Sequence, residues 1–121
     1  MRIFLFPLSG FSYSYIQENK ANREIYVNEE WGPFKSSNKT NTVLQYDEHN
    51  EKVVNWGASA LSPEPTRKGR EAKNNLSRPV EYFKFYLSDS AKSKKPELPD
   101  GITFEKAITD YLREMGNIFF I

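Results

Sequence analysis

The carboxyl-terminal part of the chain carries the pattern that most restricts its fold. After the turn residues 99–101, six apolar residues recur at intervals of three and four: Phe104, Ala107, Ile108, Tyr111, Leu112 and Met115. Charged residues occupy the other side of the same helical projection. Thr103 is a suitable N-cap. The sequence therefore predicts an amphipathic helix over residues 103–117, whose apolar stripe must pack on another element of the chain.

Two pairs of short strands are predicted in the first half of the chain. Residues 11–16 alternate apolar and small polar side chains, and residues 24–28 return after a polar turn, which favours an antiparallel hairpin. Residues 41–46 and 52–56 flank the turn sequence "DEHNE" and predict a second hairpin. We therefore expect an α/β fold, with a small mixed sheet built mainly from two hairpins and covered by the carboxyl-terminal helix.

The remaining segments are predicted as connections and short elements. Residues 3–6 resemble a short buried strand, residues 29–38 a loop, and residues 57–62 one helical turn. Residues 63–78, "PEPTRKGREAKNNLSR", carry five basic side chains and one large apolar residue, Leu76, and predict a flexible basic loop. The whole chain, residues 1–121, is expected to form one partial domain.

A lysine stands inside the aromatic stretch "PVEYFKFYLSD", where residues 80–88 predict a short helix that begins after Pro79. Helical spacing places Val80, Phe83 and Lys84 on one face. A lysine on that face either lays its methylenes along the edge of the core or holds its ammonium where an anion binds. The residues alone leave both alternatives open.

Composition excludes several classes of protein. The chain has no cysteine, which removes disulfides, thiolate nucleophiles and zinc–thiolate sites. Seventeen basic and 16 acidic residues give a net charge of +1, so any basic site must be local. The single histidine, His49, lies in a polar turn and offers neither a metal site nor a catalytic triad. No apolar run reaches membrane-spanning length and Pro7 interrupts the opening run, so we expect a cytoplasmic protein without membrane contact.

Five stretches together resemble the start of the nucleotide-binding domain of the heat-shock protein 70 family, in the actin-like ATPase superfamily. They are "SGFSYSYI", "EIYVNEEWG", "KTNTVLQYDEHNEKVVNWGASAL", "PVEYFKFYLSD" and "LPDGITFEKAITDYLREMG", in the family's order and at about its spacing. The similarity is greater to the diverged members found in some fungi. It covers most of residues 9–116.

The resemblance implies a nucleotide site with ATP or ADP and magnesium as its cofactors. Lys84 matches a lysine that points at the terminal phosphate and the attacking water, where a cation stabilises developing charge. Ser9 and Gly10 match the end of the phosphate-binding loop and are the expected cofactor-binding residues. Thr40 and Thr42 would support the lobe near the cleft rather than bind the ligand.

The chain departs from the family at the start of that loop. The family has an acidic residue and a Gly-Thr-Thr turn there, whereas this chain has apolar residues near Ile3 and Leu5, followed by Phe6 and Pro7. Proline donates no N–H to a phosphate, and magnesium loses its carboxylate. We therefore assign no metal ligand, and expect a fragment that binds nucleotide weakly and does not hydrolyse it without a second lobe or partner chain.

Two other functions remain open. A stand-alone interaction module would use its exposed apolar ends, such as the terminal "NIFFI", to bind a partner chain. A nucleic-acid-binding domain is less favoured: "SGFSYSYI" partly resembles the aromatic strand of RNA-recognition domains, but it lies too early in the chain and begins with Ser9 instead of a basic residue.

Overall fold

The computed structural model describes residues 8–16, 24–32, 34–35, 37–61, 76–87 and 95–119. It is a mixed α/β structure with small antiparallel sheets and one long helix. The strands are β1 (Leu8–Ser9), β2 (Ser12–Tyr13), β3 (Tyr26–Val27), β4 (Glu30–Trp31), β5 (Phe34–Lys35), β6 (Thr40–Asn41), β7 (Val43–Tyr46), β8 (Val53–Trp56) and β9 (Val80–Glu81). Helix α1 is Phe104–Phe119, and two 3₁₀ helices span Gly57–Ala60 and Phe83–Leu87. The predictions for residues 3–6 and for most of 63–78 lie outside the described residues.

The sheets are smaller and more separate than the single mixed sheet that we expected. Strands β8, β7 and β9 form a three-stranded antiparallel sheet, while β1–β6, β2–β3 and β4–β5 are two-stranded pairs. The two predicted hairpins are confirmed as β2–β3 and β7–β8. Residues 29–38 are not only loop, because β4 and β5 turn at Gly32, whose φ of 68° is a conformation that glycine adopts without strain.

Residues 80–87 form a strand followed by a 3₁₀ helix, so the prediction of one helix over 80–88 is wrong where the structure describes it. Val80 pairs with Leu44 of β7. Tyr82 has a φ of 62°, so it interrupts regular structure between β9 and the Phe83–Leu87 helix. The pairing with β7 satisfies backbone groups that a helix would otherwise have used, and it buries Val80.

Helix α1 is confirmed and runs two residues beyond its predicted end. The N-cap is also confirmed, since the Thr103 hydroxyl accepts a hydrogen bond from the Lys106 N–H at 3.2 Å. Ala107 and Tyr111 are buried, but Leu112 is 60% exposed, so the stripe that packs is narrower than the sequence predicts. Among the residues described here, no helix is long and apolar enough to cross a membrane.

The core lies between the three-stranded sheet and α1. Its buried members come from β7, β9, the Phe83–Leu87 helix, α1 and the turn before α1: Leu44, Tyr46, Val80, Phe83, Ile102, Ala107 and Tyr111. Trp56 and Met115 pack against them from the side. Strand β1 and the Phe83–Leu87 helix therefore hold fixed positions at the edge of one packed body, and the site predicted from the sequence lies at this edge.

Candidate functional site

Lys84 extends from the core toward strand β1. Its neighbour Phe83 is 1% exposed and anchors the 3₁₀ helix, while the exposed Lys84 side chain continues past the core. The Lys84 ammonium donates a hydrogen bond to the Leu8 carbonyl oxygen at 3.2 Å. The fold thus brings Lys84 beside the segment that contains Ser9 and Gly10, although 76 residues separate the two bonded groups.

A second lysine lies next to the first. Partial burial lowers the pKa of Lys84, and the positive charge of Lys39 lowers it further. Neither ammonium forms an ion pair with a carboxylate in the part of the chain that the structure describes. Two cations with no counter-ion repel each other, and a bound anion would relieve that repulsion. We call Lys39, Lys84 and the backbone of residues 8–10 the lysine edge.

Gly10 permits the close approach of two backbone segments. A Cβ atom at this position would lie 2.5 Å from the carbonyl oxygen of Asn38 and 3.3 Å from the Cγ atom of Lys39. Any larger residue would push residues 38–39 away from β1. Gly10 is therefore required by the packing that holds Lys39 in place, whether or not a ligand contacts it.

Ser9 directs its hydroxyl into the protein. Its Oγ atom lies 2.7 Å from Oγ1 of Thr42. Burial raises the pKa of Tyr111. Hydrogen bonds with Ser9 and Thr42 partly oppose that shift, so the three hydroxyl groups lie close together. The Tyr111 hydroxyl also donates to the Asn41 carbonyl at 3.0 Å. The Ser9 side chain thus joins β1 to the core, and only its backbone is left for a ligand.

The other residues expected near the cleft have structural roles. Oγ1 of Thr40 accepts a hydrogen bond from the Ala58 N–H at 3.1 Å. Trp31 is buried, donates its indole N–H to the Ser37 carbonyl at 2.7 Å, and meets Trp56 edge-on at 6.3 Å between ring centroids. Thr42 is buried as well. These contacts join the strands to the residues around them.

Two cavities of the described part of the chain lie away from the lysine edge. One, of about 150 Å³, is lined by Trp31, Gly32, Thr40, Trp56, Gly57, Ser59 and Ile118. The other, an open groove of about 590 Å³, is lined by Tyr86, Glu97, Leu98, Asp100, Ile102, Thr103, Phe104 and Glu105. Lys84, Ser9 and Gly10 line neither of these two cavities.

The buried carboxylate of Asp110 was not predicted from the sequence. Asp110 accepts hydrogen bonds from the Tyr46 hydroxyl at 2.8 Å, the Lys106 ammonium at 2.8 Å and the Arg113 guanidinium at 2.6 Å. Burial alone would raise the pKa of Asp110, but the hydrogen bonds outweigh it and hold the pKa below its ordinary value. The i, i+3 and i, i+4 spacings on the predicted helix could have indicated the two ion pairs. A carboxylate with three donors is a structural anchor and a poor general base.

No three side chains of the types that hold metal ions come together anywhere in the described ranges. The single histidine, His49, is exposed in its turn, where it contacts Glu48 at 3.3 Å. No family profile, curated protein or solved structure matches the chain.

Proposed function

We propose that this chain is the first lobe of a nucleotide-binding domain of the heat-shock protein 70 type. In this proposal the lysine edge binds the phosphates of ATP or ADP weakly, with Lys84 as the phosphate-facing cation. The chain does not hydrolyse nucleotide by itself. Two lines support the proposal: the resemblance of five sequence stretches, and the position of Lys84 relative to β1.

The observation that carries the proposal is the hydrogen bond from Lys84 to the Leu8 carbonyl. The resemblance assigns Lys84 and the Ser9–Gly10 segment to one phosphate site from two separate stretches of sequence. The hydrogen bond joins these two stretches, which supports a shared site.

The charges explain why an anion would bind and why it would bind weakly. Lys39 and Lys84 repel each other, and phosphate oxygens would accept hydrogen bonds from both ammonium groups. The edge is open to water, which screens these interactions. One side of a cleft supplies few contacts, so we expect a dissociation constant on the order of millimolar.

Hydrolysis makes demands that the proposed site does not meet. Phosphoryl transfer depends on cations and N–H donors placed around the transferred group. Pro7 donates no N–H where the resemblance expects a phosphate-binding turn. In this proposal Lys84 and Lys39 bind and orient phosphate oxygens without activating water.

Isothermal titration of the purified chain with ADP and with ATP tests the proposal. We expect Lys84→Ala to weaken binding about fivefold or more, because it removes a charge-assisted hydrogen bond. Lys84→Arg should retain most of the affinity. Lys52→Ala is the matched control, since Lys52 is an exposed lysine in the turn before β8. Equal affinities of the wild type, Lys84→Ala and Lys52→Ala would overturn the assignment.

A further inference from the structure

The β2–β3 hairpin carries three tyrosines on one face. The Tyr13 and Tyr26 rings stack with centroids 5.5 Å apart, and Tyr15 meets both rings edge-on, at 5.8 Å from Tyr13 and 5.7 Å from Tyr26. Side chains of one strand contact those of the other only when they project from the same face of the ladder. We call Tyr13, Tyr15 and Tyr26 the tyrosine face.

This hairpin leaves an unusual amount of apolar surface in water. Tyr15 is 64% exposed, Ile25 is 73% exposed and Ile16 is 84% exposed, and Tyr26 and Val27 are exposed as well. The core between β7 and α1 buries its aromatic rings, so exposure is not general in this chain. Along the chain Ile16, Ile25 and Val27 alternate with Tyr15 and Tyr26, so they project from the opposite face of the hairpin. On the tyrosine face itself, the exposed Tyr15 and Tyr26 rings mark a surface that another molecule covers.

The outer edge of β3 is open to a further strand. Strand β3 pairs with β2, and in the described ranges no other strand pairs with it. An unpaired strand edge binds extended peptides through backbone hydrogen bonds, while side chains on the adjoining face select the sequence. This geometry favours an extended segment over a helix as the occupant.

A carboxylate lies directly against the tyrosine face. Across the described ranges 8–16 and 24–32 the charged residues are Glu24, Glu29 and Glu30, all exposed, and Glu30 lies opposite Lys35 in the β4–β5 pair. The undescribed connection 17–23 adds Glu18, Lys20 and Arg23. The Tyr26 hydroxyl donates to Glu24 Oε2 at 2.6 Å, which leaves more electron density on the ring. Electron-rich rings beside carboxylates attract cations, and the planar guanidinium of arginine suits both.

We propose that the tyrosine face and the adjoining edge of β3 bind an extended, arginine-bearing segment of a partner protein. The segment adds a strand beside β3, its guanidinium groups lie over the exposed tyrosine rings, and Glu24 pairs with one of them. A second copy joined through the same face fits less well, because it would bring Glu24 of each copy toward the other. A nucleic acid meets the same obstacle, since its phosphates would approach Glu24.

Fluorescence anisotropy with a labelled synthetic peptide tests this proposal. The probe alternates arginine with valine. Its matched controls replace arginine with glutamate or lysine, and single-stranded oligouridine tests the nucleic-acid alternative. We expect binding in the order arginine, lysine, glutamate, with only a moderate loss at high salt because the stacking contacts remain.

Two conservative variants separate a binding role from a structural one. Tyr15→Leu keeps apolar area but removes the aromatic quadrupole, and Glu24→Gln keeps the side-chain shape but removes the charge. Each should weaken binding of the arginine peptide about three- to fivefold. Val54→Ser, which alters an exposed apolar residue of β8, should leave binding unchanged, as should Lys84→Ala. The last comparison keeps this surface distinct from the proposed nucleotide site.

Several results would overturn the proposal. The first is a Tyr15→Leu variant that binds the arginine peptide as tightly as the wild type. The second is equal binding of the arginine and glutamate peptides. The third is binding of oligouridine but of none of the peptides. Self-association of the chain in sedimentation that Tyr15→Leu abolishes would assign the surface to a second copy instead. Circular dichroism of each variant confirms that the measured changes come from a folded chain.

Discussion

The structure contains the same chemical pair in two environments. In the core, the Tyr46 hydroxyl donates to Asp110 at 2.8 Å, and on the β2–β3 hairpin the Tyr26 hydroxyl donates to Glu24 at 2.6 Å. Burial and the Asp110 contact raise the pKa of Tyr46, and the Glu24 hydrogen bond raises that of Tyr26. By hydrogen-bond geometry alone, the two pairs would be expected to stabilise the fold equally.

Their surroundings give the two hydrogen bonds different effects on stability. The core pair cannot exchange its hydrogen bond for one with water, and Asp110 has two further donors that depend on it. The hairpin pair is exposed, so water replaces either partner at little cost. Aromatic and acidic residues therefore stabilise the fold in the core, whereas on the β2–β3 hairpin they remain exposed to solvent.

The largest difference in stability between the two regions is expected when an aromatic ring is removed from each. Phe83→Ala should lower the free energy of unfolding by about 3–5 kcal/mol, because it leaves a cavity in a fully packed site. Tyr15→Ala should change it by less than about 0.5 kcal/mol. Phe85→Ala is the control within the same 3₁₀ helix, since Phe85 is exposed. Urea unfolding followed by circular dichroism gives all three values.

Equal losses for Phe83→Ala and Tyr15→Ala would show that the hairpin packs as tightly as the core. The contrast between the two regions would then be wrong, and so would the reason for treating the tyrosine face as a binding surface.

The second test removes each carboxylate. Asp110→Ala should lower the free energy of unfolding by about 2–3 kcal/mol, because Tyr46 loses its buried acceptor and two basic side chains lose their partner. Glu24→Ala should show no measurable change. The measurement is again urea unfolding, and a mild effect of Asp110→Ala would mean that water enters and replaces the carboxylate.

The third test titrates the core pair instead of deleting it. The folded-state pKa of Asp110 lies below its ordinary 3.8, so its contribution to stability is present above that value and is lost as the pH falls through the folded pKa. Tyr46 has a raised pKa, so its contribution is present below pH 10.0 and is lost as the pH rises through the folded value. Stability should therefore decrease toward low pH and toward high pH. Each decrease should be smaller than the loss caused by Asp110→Ala, since the side chains remain.

Thermal melts of the wild type and Asp110→Asn across the acid range measure the first of these effects. The variant should show a flatter decrease toward low pH, whereas Glu24→Gln should follow the wild type because that carboxylate lies on the surface. Parallel curves for the wild type and Asp110→Asn would contradict the role given to Asp110.

The smallest expected effect separates the two hydroxyl groups. Tyr46→Phe should cost about 1 kcal/mol, the usual value for one intramolecular hydrogen bond, because Asp110 keeps two other donors. Tyr26→Phe should leave stability unchanged. If both variants retained full stability, the buried hydroxyl would add nothing beyond the ring, and the core would depend on packing alone.

Several elements could be predicted because their signals are local. The helix over 104–119, its Thr103 cap and the hairpins β2–β3 and β7–β8 all follow from periodicity and turn residues within a few positions of each other. The site was predicted from resemblance instead. Its residues, Lys84 and the Ser9–Gly10 segment, do lie together, but the inward direction of the Ser9 hydroxyl had no signal in the sequence.

The amino-acid sequence determined by itself where the chain turns, which segments alternate and which face of the last helix is apolar, because each depends on near neighbours. Only the tertiary structure decided that Val80 pairs with Leu44, that Leu112 stays exposed and that the Tyr46 hydroxyl reaches Asp110. These outcomes depend on contacts between distant segments, whose closure a local pattern does not encode. The same reason applies to the tyrosine face: alternation predicted its strands, and tertiary packing decided that Tyr15 and Tyr26 stay exposed.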